Sequence, residues 1–195
     1  MNLYPFARAA TYPLVRALFK ISYEGLENIP EQGGYILACN HRTNFDPLFI
    51  AHKIPSPIAY LAKIELVKHP LAGPIIKSLG VVPIDRGSGD TGALESAALR
   101  IGEGSVLGMF PEGTRSKDGV PLRPRSGVAI IAGKTGTDIL PCAVVFGKKL
   151  GFREAVTVRY GPVIPNSRLG IDLSSPSAIR EASRLIMEEI LALAY

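Results

Sequence analysis

Residues 34–48 read Gly-Tyr-Ile-Leu-Ala-Cys-Asn-His-Arg-Thr-Asn-Phe-Asp-Pro-Leu, and the rest of the chain is organised around this stretch. Residues 35–39 form a short apolar run behind two glycines, which predicts a buried strand. A polar turn over residues 40–45 follows the strand. A helix is then predicted to start at Asp46, with its carboxylate as the N-cap and Pro47 in the first helical position.

His41 and Asp46 are the candidate catalytic pair of this stretch. They are five residues apart across the predicted turn, so Asp46 is able to fold back and accept a hydrogen bond from one ring nitrogen of His41. Such a bond fixes the imidazole tautomer and leaves the other nitrogen free to take a proton. The structural alternative is that Asp46 is only a helix cap and His41 only a polar residue at a strand end.

Length and composition predict a single domain with a sizeable core, because 47% of the 195 residues are hydrophobic. No charge-free apolar run reaches the ~18 residues that a membrane-spanning helix needs. The N-terminus does not resemble a cleavable signal, since Arg8, Pro13 and Arg16 interrupt its apolar groups. Cys39 and Cys142, each in a predicted buried strand, favour a reducing compartment over a disulfide framework.

Residues 3–20 predict an amphipathic helix, and we treat residues 1–22 as a membrane-interface segment and 23–195 as the main domain. Such a helix lies in a membrane interface with its basic side toward anionic headgroups. The alternative is a terminal helix that packs on the protein's own core. At 100° per residue the apolar side gathers Leu3, Phe6, Ala7, Ala10, Leu14, Ala17 and Leu18, and the basic side carries Arg8, Arg16 and Lys20.

Strands and helices alternate along the rest of the chain, which predicts an α/β fold with a mostly parallel or mixed sheet covered by helices on both faces. Ligands of such sheets collect beyond the strand ends. Further strands are predicted at 58–62, 81–84, 105–110, 139–146 and 156–160, and helices at 65–79 (broken by two prolines), 90–101, 126–134 and from Ser175-Pro176 onward.

Two weaker patterns predict no function of their own. Residues 87–92 have the form G-x-G-x-x-G, but Asp90 stands where a pyrophosphate requires positive charge. A loop that ends in a helix cap therefore accounts for this pattern better than a dinucleotide site. His52 and His69 lack ligand spacing to His41, and no metal site is predicted from them.

The segment 110–116, Phe-Pro-Glu-Gly-Thr-Arg-Ser, is a candidate anion-binding turn. The proline ends a predicted strand and the glycine permits a tight turn. Glu112, Thr114 and Arg115 are thereby presented together. Arginine binds phosphate oxygens bidentately, and hydroxyls and turn amides add donors. The structural alternative is a surface turn with a solvated Glu-Arg pair.

Four segments, taken in order, resemble the glycerophospholipid acyltransferase family, the 1-acylglycerol-3-phosphate (lysophosphatidic acid) acyltransferases. They are Asn-His-Arg-Thr-Asn-Phe-Asp (40–46), Gly-Val-Val-Pro-Ile-Asp-Arg (80–86), Phe-Pro-Glu-Gly-Thr-Arg-Ser (110–116) and Ile-Leu-Pro-Cys-Ala-Val (139–144). The likeness covers about residues 24–165, and Lys63 resembles the lysine that the family carries between its first two blocks.

The chain also departs from the family pattern. At Arg125-Ser126-Gly127 the family has a lysine before the glycine, and Arg123 or Arg125 is the candidate replacement. The N-terminal segment is shorter than in some relatives, which predicts lighter membrane attachment.

The resemblance implies that a fatty acyl group passes from acyl-CoA or acyl-carrier protein to the sn-2 hydroxyl of 1-acylglycerol-3-phosphate, giving phosphatidic acid. It implies His41 as general base and Asp46 as the residue that orients it, with no metal and no cofactor beyond the acyl donor. Arg86 and Arg115 are expected on the acceptor phosphate, and Glu112 in an organising role. The substrate-binding residues carried over from the family are Lys63, Arg86, Glu112, Gly113, Thr114 and Arg115.

The expected partners are the acyl donor, a lysophospholipid acceptor and an anionic membrane surface, with peripheral or monotopic attachment at the cytoplasmic face. A net charge of +5 and a pI near 9.3 fit an anionic partner without choosing among them. Nucleic acid is not expected, because the chain has no tryptophan and its tyrosines are scattered.

Three alternatives stay open at this point. One is an acyltransferase that acts on glycerol-3-phosphate or another lysophospholipid. A second is a non-catalytic protein that binds anionic lipid. The third, a nicotinamide-dependent oxidoreductase, rests only on the glycine pattern at 87–92.

Overall fold

The computed structural model describes residues 4–63, 68, 81–84, 91–116, 118–147 and 149–195. The helix predicted over 65–79 (apart from Lys68), Arg86 and most of the glycine pattern at 87–92 lie outside these residues. The helices are α1 (Tyr4–Leu18), α2 (Asp46–Ala51), α3 (Thr91–Gly102), α4 (Gly127–Thr135) and α5 (Pro176–Ala194). The strands are β1 (Lys20–Glu24), β2 (Ile36–Cys39), β3 (Ile58–Lys63), β4 (Val82–Ile84), β5 (Val106–Met109), β6 (Ile139–Val145) and β7 (Ala155–Tyr160).

The described strands form one mixed sheet of seven, in the order β1-β7-β6-β2-β5-β3-β4. Strands β6, β2, β5, β3 and β4 are parallel, whereas β7 is antiparallel to β6 and pairs in parallel with β1. The predicted α/β fold with a mostly parallel or mixed sheet is confirmed. The carboxyl ends of the five parallel strands meet at one edge, which we call the carboxyl edge. Since β7 and β1 run the opposite way, β1 begins at this edge.

Helices cover both faces of the sheet, because successive side chains of a strand point to opposite faces. In β2, Ile36 and Ala38 lie in a buried cluster with residues of α3, α4 and α5. Leu37 and Cys39 lie in a second buried cluster with residues of α1 and α2. Helix α5 begins as predicted: the Ser175 hydroxyl accepts a hydrogen bond from the Ala178 amide at 3.4 Å.

The sequence did not predict β1, whose side chains alternate between exposed and half-buried. The strand starts two residues after α1 and pairs with β7 from Lys20↔Ala155 to Glu24↔Arg159. The boundary drawn at residue 22 therefore falls inside a strand of the sheet. An edge strand carries a weak hydrophobic pattern because only part of it is buried, so its register depends on β7 rather than on its own composition.

Helix α1 is present as predicted, but it packs on the body through a side other than the predicted apolar one. Tyr4 and Val15 are buried, and the Tyr4 hydroxyl donates to the Ala51 carbonyl at 3.2 Å. The Arg8 guanidinium, predicted on the basic side toward anionic headgroups, donates to the Ile54 carbonyl at 2.6 Å. A long arginine side chain reaches a buried carbonyl that an apolar residue would leave unpaired.

Most of the predicted apolar side of α1 that the structure describes is exposed instead, although Leu18 packs against the buried cluster. Phe6 is 71% and Leu14 is 57% exposed, and Ala10 and Ala17 are exposed beside them. The helix thus packs on the core with one side while presenting an apolar side outward. None of the helices in the described ranges combines the length and the apolar character needed to cross a membrane.

His52 lies at the junction of α1, α2 and β1. Its ring nitrogens lie 3.3 Å from the Tyr23 hydroxyl and 3.4 Å from the Thr11 hydroxyl. Burial, together with the nearby charges of Arg8 and Lys53, lowers the pKa of His52 to about 4.

This burial predicts a pH-dependent stability. Below the ordinary histidine pKa of about 6.5 the unfolded chain gains a proton at His52 that the folded protein accepts only near pH 4. The free energy of unfolding should fall by about 2 kcal/mol as the pH drops from 7 to 4.5. Urea unfolding of the wild type and of His52→Gln across this range measures the difference. The variant should lose that part of the slope, and identical slopes would show that His52 does not cause it.

Candidate active site

The loop after β2 places His41 at the carboxyl edge and folds Asp46 back onto it. The Nδ1 atom of His41 lies 2.9 Å from Oδ2 of Asp46, which confirms the predicted hydrogen bond. The Asp46 carboxylate also accepts hydrogen bonds from the Arg42 amide at 2.6 Å, the Thr43 amide at 2.7 Å and the Thr43 hydroxyl at 2.6 Å. Since the carboxylate is the acceptor of all four, Nδ1 of His41 donates and Nε2 keeps its lone pair.

The two members of this pair differ in exposure. The Asp46 side chain is fully buried, whereas 18% of the His41 side chain is exposed. A buried carboxylate with four donors holds the ring firmly, and the part of the ring that reaches solvent is open to a reacting group.

The predicted N-cap role of Asp46 is wrong. Helix α2 begins at Asp46 itself, Phe45 occupies the cap position, and no side chain caps the helix. Pro47 is consequently the second helical residue and not the first. The carboxylate is directed at donors of the preceding loop, and the amides of Leu48 and Phe49 bond the Phe45 carbonyl instead. Ser126 likewise precedes α4 without a side-chain cap.

Phe110 stacks on the imidazole, and sequence reasoning missed this contact. The Phe110 and His41 ring centroids are 4.0 Å apart with planes 19° apart. The Tyr60 ring in turn stacks with Phe110, at a centroid distance of 6.4 Å and an interplanar angle of 9°, and its hydroxyl donates to the Pro47 carbonyl at 2.8 Å. Phe110 lies just beyond the end of β5, the strand adjacent to β2. That position could have indicated its contact with His41.

Asn40 is a second residue whose role was not predicted. Its side-chain amide donates to the Val144 carbonyl at 3.1 Å, and its Oδ1 accepts from the Val144 amide at 2.8 Å. The buried side chain thereby continues the pairing of β2 with β6 by one more residue. This fixes the point at which the chain leaves the sheet and so the position of His41.

The turn 110–116 is clamped onto the backbone of His41. Glu112, which is buried, accepts the His41 amide hydrogen through Oε1 at 2.8 Å and the Leu122 amide hydrogen through Oε2 at 2.9 Å. The Ser116 amide donates to the His41 carbonyl at 2.8 Å. Both carboxylate oxygens of Glu112 are therefore occupied by backbone donors.

Gly113 is required in this turn for two reasons. Its φ of 70° lies in the left-handed region, and a methyl group there would lie 2.6 Å from Cδ of Arg125. The Arg125 side chain thus lies directly over the turn. Thr114 and Arg115 follow it with exposed side chains, and within the described ranges no hydrogen bond or ion pair engages the Arg115 guanidinium.

The structure brings together most, but not all, of the predicted site residues. Asp46 and Glu112 both bond His41, and Gly113, Thr114 and Arg115 belong to the turn that Glu112 and Ser116 attach to the His41 backbone. Lys63 ends β3 at the carboxyl edge, and Arg86 lies outside the described residues. The described part of the chain holds no cluster of three or more histidine, cysteine, aspartate or glutamate side chains that suits a metal ion.

Known proteins resemble this chain in sequence and in fold. The Acyltransferase family model matches residues 20–145. The 1-acyl-sn-glycerol-3-phosphate acyltransferase of Borreliella burgdorferi is 36% identical over 146 residues, which are 71% of this chain and 58% of that protein. The enzyme of the same name from Bacillus subtilis is 28% identical over 142 residues, 72% of this chain and 70% of that protein. The chain thus spans less than two thirds of the Borreliella relative.

A solved structure has the same architecture. The crystal structure of the 1-acyl-sn-glycerophosphate (LPA) acyltransferase PlsC from Thermotoga maritima aligns with a TM-score of 0.70 at 25% identity, covering 99% of this chain and 83% of that one. With the family match over well over half of its length, this chain belongs to the Acyltransferase family.

Proposed function

We propose that this chain transfers a fatty acyl group from a thioester donor, acyl-CoA or acyl-carrier protein, to the sn-2 hydroxyl of 1-acylglycerol-3-phosphate, giving phosphatidic acid. One observation carries the proposal. The ring of His41 bonds Asp46, and the backbone of His41 bonds the turn that presents Arg115. Membership of the Acyltransferase family and the printed names of its relatives supply the substrate class.

His41 is the general base of the proposed reaction. Nε2 takes the proton of the acceptor hydroxyl while the hydroxyl oxygen attacks the thioester carbonyl carbon. The tetrahedral intermediate then breaks its C–S bond, and the departing thiolate takes the proton back from the imidazolium. The products are the new ester and a free thiol, and no covalent acyl-enzyme is required. General base assistance contributes about 10²–10⁴-fold, so positioning supplies much of the remaining acceleration.

Asp46 and Phe110 prepare the imidazole for this step. The buried carboxylate holds Nδ1–H and stabilises the positive charge that forms on the ring. The Phe110 ring, stacked at 19° to the imidazole with centroids 4.0 Å apart, limits the rotation of the imidazole and presents a π-face to the imidazolium.

The acceptor phosphate is assigned to the exposed guanidinium of Arg115 with the hydroxyl of Thr114. Arg125, which lies over Gly113, adds a second positive charge where the family carries a lysine. Glu112 is not a phosphate ligand, because both of its oxygens accept backbone hydrogen bonds and its charge repels the ligand. Lys63 and Arg86 are assigned to the acceptor by family resemblance.

The acceptor is a lipid, so the proposal includes a membrane surface. The outward apolar side of α1, with Phe6 and Leu14 at its centre, suits the interfacial region of a bilayer. Arg16 and Lys20, both exposed, add attraction to anionic headgroups. We assign the protein to the cytoplasmic face as a peripheral or monotopic protein.

The proposed activity predicts thiol release from acyl-CoA or acyl-carrier protein that depends on the acceptor. Among lysophosphatidic acid, glycerol-3-phosphate, another lysophospholipid and monoacylglycerol, lysophosphatidic acid should be used best. His41→Ala should lower the rate by at least about 10²-fold while circular dichroism stays unchanged. His52→Gln, at a histidine whose ring bonds the Thr11 and Tyr23 hydroxyls and not the catalytic pair, serves as the control and should keep wild-type turnover at pH 7.5. If no pair of donor and acceptor gives thiol release, the protein is a non-catalytic lipid-binding protein. Full turnover by His41→Ala would show that His41 is not the general base.

Arg115→Ala should weaken use of the phosphate-bearing acceptor while leaving the KM of the thioester unchanged. A charge-assisted hydrogen bond contributes about 1.5–3 kcal/mol, so kcat/KM for lysophosphatidic acid should fall about 10–100-fold. Monoacylglycerol, which lacks the phosphate, should be affected little. Arg100→Ala, at an exposed arginine of α3 that pairs with Glu103, is the control. Equal losses with both acceptors would contradict the phosphate role.

The double variant Phe6→Ser, Leu14→Ser should bind anionic vesicles more weakly than the wild type in a sedimentation assay, because it removes apolar area from the outward side of α1. Deleting the helix is a poorer test, since Tyr4 and Val15 are part of the buried core. Leu99→Ser, at a 64%-exposed leucine of α3, is the matched control. Unchanged sedimentation of the double variant would refute the membrane role of α1.

A further inference from the structure

The segment 146–154, between β6 and β7, connects the catalytic loop with the end of α1. Its described residues, 146–147 and 149–154, lie at the carboxyl edge, where β6 ends and β7 begins. At its first end the Arg42 guanidinium donates to the carbonyls of Phe146 at 2.9 Å and Gly147 at 3.0 Å, and lies 3.9 Å from the centroid of the Phe146 ring. Arg42 is the residue next to His41, so the segment is fastened directly to the catalytic loop.

The other end of the segment is fastened to α1 and β1. The Arg153 amide donates to the Leu18 carbonyl at 2.7 Å, and its guanidinium donates to the Arg16 carbonyl at 3.3 Å. The Lys20 amide donates to the Glu154 carbonyl at 2.9 Å. Two of the last carbonyls of α1, those of Arg16 and Leu18, thus find donors in this segment.

These attachments hold an aromatic ring outward. Leu150 packs against the buried cluster on the α1 side of the sheet, but Phe152, two residues later, is 79% exposed. Arg153 has a φ of 58°. Within the described ranges it is the only residue other than glycine with a positive φ. A side chain rarely adopts this conformation, and here the two bonds to α1 maintain it. The ring is therefore presented by a fixed turn.

The chain around Phe152 is rich in basic residues, and the neighbouring Arg153 connects it to the last turn of α1. Leu14 and Ala17 are exposed in the last turns of that helix. Four exposed basic side chains belong to the same helix end and loop: Arg16, Lys20, Lys149 and Arg153. The acid of the segment, Glu154, is half-buried. Single exposed apolar residues are common on protein surfaces, but an aromatic tip among cations beside an apolar helix side is typical of an interfacial lipid contact.

We propose that Phe152 inserts into the interfacial region of an anionic bilayer, so that segment 146–154 and α1 form one membrane-contact surface that Arg42 fastens to the catalytic loop. The inference rests on the proposed action at a lipid surface and adds a second, separate contact to it. It also gives Arg42 a function: to hold the reacting imidazole at a set position relative to the lipid surface from which the acceptor arrives.

The absence of tryptophan from the chain makes a direct test available, because each introduced tryptophan is the single one present. Three full-length variants are compared: Phe152→Trp at the loop tip, Leu14→Trp on the outward side of α1, and Leu99→Trp on α3, which covers the opposite face of the sheet. Fluorescence is recorded with vesicles of phosphatidylglycerol and phosphatidylcholine, with and without brominated acyl chains. Phe152→Trp and Leu14→Trp should shift to the blue and be quenched by bromine, and Leu99→Trp should do neither.

The outcomes separate this inference from the proposed function. A response of Leu14→Trp without one of Phe152→Trp would overturn the loop contact and leave α1 as the membrane element. An equal response of Leu99→Trp, or no response of any variant, would also overturn it. A blue shift of Phe152→Trp that depends on protein concentration without vesicles would assign the ring to a second copy of the chain.

Activity gives a second readout. Phe152→Ser should lower the partition coefficient on anionic vesicles by about tenfold, the ratio expected for losing much of one buried phenyl side chain. Transfer to a vesicle-embedded acceptor should fall in parallel, whereas transfer to a monomeric short-chain acceptor should stay at the wild-type rate. Equal losses with both acceptors would show that the ring supports the catalytic loop and not the lipid contact. Failure of transfer in the wild type would refute the proposed function without altering the fluorescence result.

Discussion

The hydrogen bond between His41 Nδ1 and the Asp46 carboxylate is the constraint on which the site depends. The carboxylate accepts three further hydrogen bonds from Arg42 and Thr43, so the loop between β2 and α2 is built around one buried acceptor. A buried carboxylate is stable only when it is hydrogen-bonded, and here the donors that stabilise it also fix the ring. Removing the carboxylate would therefore alter both the fold of the loop and the orientation of the base.

The position of His41 is set by contacts from several directions at the carboxyl edge. Asn40 extends the β2–β6 pairing up to His41, Glu112 and Ser116 bond its amide and carbonyl, and Phe110 covers one face of its ring. Asn40 follows β2 and bonds β6, and the other three residues follow β5, so the parallel arrangement of β2, β5 and β6 brings these contacts together at one edge. Precise placement of a reacting group on rigid elements is what makes positioning effective in catalysis.

Sequence reasoning predicted the fold class and most elements because the buried strands are short apolar runs bounded by glycine, proline and polar turns. It predicted the bond between His41 and Asp46 because both partners lie in one turn. It did not predict β1, whose half-buried pattern gains meaning only from pairing with β7. The packed side of α1 was also missed, since a long arginine that bonds a carbonyl is indistinguishable in sequence from one in solvent. Contacts between distant segments, such as that of Phe110 with the ring, require the strand order, which the sequence does not state.

The tautomer of the His41 imidazole tests the central claim most directly, and ¹⁵N NMR of histidine-labelled protein measures it, with His41 assigned by comparison with the His41→Ala variant. A carboxylate that accepts from Nδ1 requires the neutral ring to carry its proton on Nδ1 and to leave Nε2 bare. In the wild type the neutral ring should be in the Nδ1–H form, with an unprotonated Nε2. A neutral ring protonated on Nε2 would contradict the account, because the nitrogen turned away from Asp46 would then have no lone pair to take the hydroxyl proton.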